Sequence, residues 1–211
     1  MDDDMTEELK AYRVNEIFYS LQGEGARAGT ANIFIRFSGC NLRCTKEKGK
    51  KSPGGFDCDT EFESGTMMHL DEILDACRAL SPFCRWLVLT GGEPALQVDD
   101  EFVEFFHAAG WKLAIETNGS RVVASGMDWI TVSPKVAEHA IKQLTADEVK
   151  YIRGRWQGIP RPAVDARHLF ISPPFDGMEI EADALEWCIE LVKENPGWAL
   201  SVQSHKRWRI R

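Results

Sequence analysis

The sequence predicts an α/β fold, an open or partial (β/α) barrel of parallel strands, on three observations. Short apolar runs alternate with stretches of helical period, an order that implies parallel neighbours joined by right-handed crossovers. Polar residues gather just after the apolar runs, where ligands sit in such folds. The 211 residues also fall short of the ~250 that a complete eight-fold barrel takes. This length suits one core better than two, so residues 11–211 are read as a single domain behind a flexible tail, residues 1–10.

The composition, 44% hydrophobic and 27% charged, is that of a globular chain rather than a disordered one. No apolar run nears the ~20 residues of a membrane span, and the acidic start lacks the order of a signal peptide. A cytoplasmic protein is expected. There, six cysteines serve as thiols or metal ligands sooner than as disulfides. A formal charge of -8 repels polyanions, so a small-molecule substrate is expected, with no nucleic acid and no membrane as partner.

In chain order, residues 13–21 read as a strand entering the turn Gln22-Gly23-Glu24-Gly25. Residues 31–37 form the next strand, after which Gly39 turns the chain and lets Cys40, Cys44 and Cys58 converge beyond its end. Thirteen residues separate the last two cysteines. Of these, residues 45–56 hold Lys46, Lys48, Lys50 and Lys51 with no apolar period, and read as an exposed loop. Three thiols are informative, because structural zinc closes on four ligands whereas a cubane held by three cysteines leaves one iron open. The alternative, small buried hydrophobes, suits Cys77, Cys84 and Cys188, which lie in or beside apolar helical faces.

Leu70, Ile73, Leu74 and Cys77 space out one buried face of a helix over 70–80. A strand over 86–89 stops at Thr90-Gly91-Gly92-Glu93-Pro94. A helix over 99–109 precedes a strand over 111–115, which ends in Glu116-Thr117-Asn118-Gly119. The strand over 129–132 ends in Ser133-Pro134-Lys135, and strands over 148–152 and 168–171 follow, the second stopping at Ser172-Pro173-Pro174. A helix over 184–193 and a strand over 198–202 lead into Gln203-Ser204-His205-Lys206. Gly91 and Gly92 allow a ligand close approach to the backbone, or make an ordinary turn. Ser133-Pro134-Lys135 is a hydroxyl, a rigid turn and a cation, or a plain turn. His205 alone reads as structural as readily as functional.

The ordered set C-N-L-R-C, C-D-T and T-G-G-E-P resembles the radical S-adenosylmethionine superfamily. With L-Q-G-E-G, E-T-N-G, S-P-K and S-V-Q-S-H-K, it resembles within that superfamily the 7-carboxy-7-deazaguanine synthase family, over nearly the whole chain beyond the tail. The resemblance implies a reduced barrel of about six parallel strands and three helices, usually a homodimer. It implies a 4Fe-4S cluster on Cys40, Cys44 and Cys58, whose open iron chelates S-adenosylmethionine. The resulting 5′-deoxyadenosyl radical would abstract hydrogen from 6-carboxy-5,6,7,8-tetrahydropterin, and ring contraction with loss of ammonia would follow, in queuosine or other 7-deazapurine synthesis.

Carried over residue by residue, the resemblance places Leu21, Gln22, Gly23, Glu24, Arg36, Thr90, His205 and Arg211 at the substrate. Thr60 would hold Mg2+. Asp57, Cys58, Asp59, Gly92, the turn Ser133, Pro134 and Lys135, and the turn Ser172, Pro173, Pro174 and Phe175 would hold the cofactor. Two positions depart from the family pattern: Asp57 stands where an aromatic residue usually precedes the last cysteine, with Phe56 beside it, and Ser172 stands where relatives often carry glutamine. An electron donor such as flavodoxin is expected, with the lysine-rich loop as its docking patch. A glycyl-radical activase and a noncatalytic iron–sulfur or zinc binding module remain as competing readings.

Overall fold

The computed structural model describes residues 10–45, 56–58 and 60–211. Residues 1–9 of the expected tail, most of the lysine-rich loop and Asp59 lie outside the described residues; residue 10, expected in the tail, is held, with Lys10 paired to Asp99. The strands are β1 (Ala11–Leu21), β2 (Ala31–Phe37), β3 (Thr66–His69), β4 (Trp86–Gly91), β5 (Lys112–Thr117), β6 (Trp129–Val132), β7 (Thr145–Ile152), β8 (Asp165–Ser172), β9 (Phe175–Asp176), β10 (Glu179–Ile180) and β11 (Ala199–Leu200). The helices are α1 (Leu70–Leu80), α2 (Asp100–Ala108), α3 (Ala182–Glu194) and the short α4 (Ser204–Trp208).

One nine-stranded sheet runs in the order β11-β8-β7-β6-β5-β4-β2-β1-β3. From β2 to β11 every neighbouring pair is parallel. Six substantial parallel strands and three long helices are therefore present, and β3 and β11 stand at opposite ends, so the barrel stays open. β1 pairs antiparallel with β2, because the short connection between them holds a turn and no crossover helix. β3 was not expected: its T-M-M-H is largely exposed and is held by the first residues of β1.

Several boundaries differ from expectation for a common reason. β7 and β8 each begin three residues earlier, where the ladder Thr145↔Asp165 and Ala146↔Ala166 holds residues with no apolar signal. The last strand contracts to two residues, and α4 forms in its polar sequel. Asp99 is the cap of α2 rather than its first residue, accepting from Phe102 N at 3.1 Å.

Period-two alternation sorts each strand onto two faces. Ile33, Ile35, Phe37, Leu87, Leu89, Leu113 and Ile115 face Ile73 and Cys77 of α1 and Phe102 and Phe106 of α2, all fully buried. Each such side chain contributes roughly 1.5–3 kcal/mol. A second cluster gathers Val132, Val149, Tyr151 and Ile171 around Cys188 of α3. The inner face carries Phe18, Phe34, Val88 and Ala114, and one register further along, Arg36↔Thr90, Glu116↔Thr131, Thr131↔Glu148 and Glu148↔His168. The apolar layer ends where the polar layer begins, and the site is built there. Among the described residues no helix is long and apolar enough to cross a membrane.

Candidate active site

The cysteine loop leaves β2 through Ser38 and Gly39. Gly39, with φ +88°, donates its N–H to Phe62 O at 2.7 Å and accepts from Glu93 N at 2.9 Å. Gly92 lies so close that a Cβ on it would stand 2.0 Å from Gly39 O, so only glycine fits there. Glu93, fully buried, accepts from Thr117 Oγ1 and Asn118 N, both at 2.7 Å, and from Ala95 N at 3.1 Å. Asn118 Nδ2 in turn donates to Asn41 Oδ1 at 3.1 Å, inside the C-N-L-R-C run. Thus T-G-G-E-P and E-T-N-G fasten the loop that carries Cys40.

Cys58 N donates to Cys44 O at 3.3 Å, and Cys58 Sγ lies 3.8 Å from Thr60 O, which puts Thr60 directly beyond the thiols. Asp57 is exposed, and the ring of Phe56 lies beside Gly154, past the end of β7. Lys135 Nζ donates to Ser133 Oγ at 2.8 Å. Burial, with Lys150 behind it, pushes the Lys135 ammonium down, while Cys44, Glu24 and Cys58 pull it up. Lys135 therefore feels both the thiols and the β1 turn. Ser172, Pro173 and Pro174 are buried, and the ring of Phe175 meets Lys206 Nζ at 4.9 Å.

The second half of the site is the turn after β1. Gln22 Nε2 donates to Glu116 Oε1 at 2.9 Å, and Thr90 Oγ1 donates to Glu116 Oε2 at 3.0 Å. Gly23 is in contact with the His205 imidazole, and its carbonyl accepts from Ser204 N at 3.0 Å. Glu24 is ion-paired with Lys150 and accepts from Gln203 Nε2 at 2.9 Å. Leu21 is partly exposed at the end of β1. Glu16 Oε1 takes Arg36 through Nε at 2.8 Å, and Glu16 Oε2 takes Arg211 at 3.3 Å. Both guanidiniums stand over Phe18, at 5.8 and 5.6 Å. Seven of the eight residues expected at the substrate thus border the inner face, while Leu21 has the parity of Ile17 and Tyr19, opposite to Phe18, at the end of β1.

No family model matches the chain. A 7-carboxy-7-deazaguanine synthase of Bradyrhizobium diazoefficiens is 38% identical, the match covering 95% of this chain and 100% of that protein. One from Burkholderia multivorans is 39% identical over 94% and 99%, and one from Bacteroides thetaiotaomicron 38% over 94% and 98%. The chain belongs to the 7-carboxy-7-deazaguanine synthase family. A crystal structure of QueE from Escherichia coli superposes with a TM-score of 0.68 at 26% identity, covering 92% of this chain and 95% of that one.

As a member of the 7-carboxy-7-deazaguanine synthase family, the chain is a radical S-adenosylmethionine enzyme, a class that works with an iron–sulfur cluster and S-adenosylmethionine. Its residues fit that group. Cys40 and Cys44 are half-buried and Cys58 is exposed. Burial first, then the charges of Glu93, Cys44 and Cys58, push the Cys40 thiol up against the pull of the Leu42 amide. The three sulfurs therefore lie within electrostatic reach of one another, a repulsion that a bound cationic centre relieves. Among the described residues no three His, Cys, Asp or Glu side chains close on a single metal ion, and a four-iron cluster is a wider guest than one ion.

Four polar residues bordering the inner face carry no role in the sequence reading: Glu93 and Glu116 stand there only within motifs, and Glu148 and Lys150 only within a strand. Period-two alternation of charged residues in D-E-V-K-Y-I was the available signal.

Proposed function

We propose that this chain converts 6-carboxy-5,6,7,8-tetrahydropterin to 7-carboxy-7-deazaguanine with loss of ammonia, supplying a queuosine-type 7-deazapurine pathway. One observation carries the reading: the cysteine loop and the polar inner face meet at the same carboxyl end of the sheet, where Glu93 and Asn118 tie the Cys40 loop to the end of β5 directly after Glu116.

Cys40, Cys44 and Cys58 would hold the 4Fe-4S cluster. With S-adenosylmethionine bound, that group supplies a 5′-deoxyadenosyl radical once reduced. Around it the chain binds, orients and excludes water. The backbone at Gly92 and Asp57, and the turns Ser133–Lys135 and Ser172–Phe175, would form the cofactor subsite, with apolar Pro173, Pro174 and Phe175 keeping solvent from a reactive species. Arg36 presents a cation to the substrate carboxylate, since Glu16 takes its Nε side. Thr60 offers a hydroxyl to Mg2+, a hard cation suited to oxygen ligands. Gln22, Gly23, Glu24, Thr90 and His205 supply the donors and acceptors that a pterin edge needs, and Arg211 closes the pocket beside Glu16. An acidic one-electron donor such as flavodoxin and a homodimer complete the reading.

Anaerobic reconstitution with iron and sulfide, then turnover with dithionite, S-adenosylmethionine and the carboxytetrahydropterin, tests it. The expected outcome is an iron–sulfur absorbance lost when any of Cys40, Cys44 or Cys58 becomes alanine, with product formation raised by magnesium. Intact protein that takes up no iron and forms no 5′-deoxyadenosine would defeat the reading.

A further inference from the structure

Two side chains of β7 point into the pocket and neither belongs to the sites assigned above. Glu148 is buried; its Oε1 accepts from Thr131 Oγ1 at 2.9 Å and its Oε2 accepts from Ala26 N at 2.8 Å. Gly25, with φ +68°, packs so tightly on it that a Cβ would lie 2.3 Å from Glu148 Oε1. Two residues on, and so on the same face, Lys150 reaches Glu24. The pair is nearly enclosed, with side-chain exposures of 12% and 14%. The other oxygen of Glu24 accepts from Gln203 at 2.9 Å. One strand therefore holds both the backbone of the β1 turn, through Glu148, and its carboxylate, through Lys150.

We propose that Lys150 is a positioning residue for the pterin subsite, acting through Glu24 by fixing where that carboxylate points; the proposal rests on the reading of the function above. A buried ion pair is a poor source of stability, because desolvation offsets most of the attraction, and in this pocket the role assigned to the pair is a geometric one instead. The surroundings agree. Burial pushes the Glu24 carboxyl up, yet Lys150 and Gln203 overcome it and leave it below the ordinary carboxylate value. Burial likewise pulls the Lys150 ammonium down, and Glu24 and Glu116 more than restore it. Each partner is thus kept charged by the other. Lys150 is already engaged by Glu24, so it serves the substrate at second hand.

Kinetics of the reconstituted enzyme with dithionite as reductant provide the test. Lys150→Met is expected to raise KM for the carboxytetrahydropterin by about tenfold, or ~1.4 kcal/mol, and to leave KM for S-adenosylmethionine unchanged. Lys150→Arg should restore most of the loss. Because Lys150 works through Glu24, the double variant Lys150→Met/Glu24→Gln should be no worse than Glu24→Gln alone. Should Lys150→Met fail to fold, Lys150→Gln in the Glu24→Gln background, which removes both charges together, makes the same comparison. An unchanged pterin KM, an equal rise in both KM values, or additive losses in the double variant would each overturn the positioning role. A wild-type enzyme that makes no deazaguanine sinks this role together with the function; a wild type that turns over beside an unaffected Lys150→Met sinks the role alone.

Discussion

Gly23 shows what a single atom decides in this site. A Cβ there would stand 2.1 Å from His205 Nδ1, 2.8 Å from its Cγ and 2.9 Å from its Cβ, so swinging the ring relieves only part of the clash and the start of α4 must give way too. Gly23→Ala is therefore expected to displace His205 together with the start of α4, raising KM for the pterin by about tenfold, as steady-state kinetics beside a thermal melt would show. His205 also gives the pocket a pH response. Burial pushes its imidazole below the usual value, Lys206 and Lys150 push the same way, and Glu24 and Glu116 oppose them. The folded protein thus resists protonating His205, and whatever stability the neutral ring contributes is lost as pH falls from ~6.5 toward the lowered value. The pterin kcat/KM should fall as pH passes through that lowered value, where the folded enzyme's ring takes up its proton, and His205→Gln should flatten that limb. A limb unchanged in the variant would assign the titration to another group.

At the scale of elements, Glu93 bolts the end of β4 to the end of β5. Glu93→Ala strips the acceptor from three donors, Thr117 Oγ1, Asn118 N and Ala95 N. With an unsatisfied buried donor costing ~1–3 kcal/mol, a loss of about 3 kcal/mol or more in denaturant unfolding is expected, part of it recovered by Glu93→Gln. A second tie fixes the start of α2: Asp100 Oδ1 accepts from Ser125 N at 2.9 Å and Ser125 Oγ at 2.8 Å, which holds its carboxyl below the usual value. Such a group stabilises above its unfolded pKa and stops doing so as pH falls through the folded one. Asp100→Asn should therefore unfold at lower denaturant than wild type at neutral pH, with the gap closing in acid. These ties also mark the limit of sequence reading. Apolar period was enough for α1 to α3 and for the middles of β2, β4 and β5, because burial produced that period. It could not reveal β3, the early starts of β7 and β8, or α4, which exist through pairing and contact with distant residues. Glu148 and Lys150 escaped for a related reason: alternating charge on a strand normally means a solvated face, and here that face lines a pocket.

Across the whole molecule, charge sets a condition on how the electron arrives. A formal net charge of -8 repels an acidic carrier at long range, so productive approach depends on local cations. The sequence concentrates them twice, as Arg43 with Lys46, Lys48, Lys50 and Lys51, and as Lys206, Arg207, Arg209 and Arg211. Arg207 and Arg209 are exposed. Changing Lys46, Lys48, Lys50 and Lys51 together to glutamine should slow turnover driven by reduced flavodoxin at low salt while leaving dithionite-driven turnover intact. The difference should shrink as ionic strength passes ~0.15 M, where screening reaches ~8 Å. If the flavodoxin-driven rate is unmoved while Arg207→Gln/Arg209→Gln lowers it, the donor approaches over α4; if neither set matters, steering by local cations is not how this enzyme is reduced.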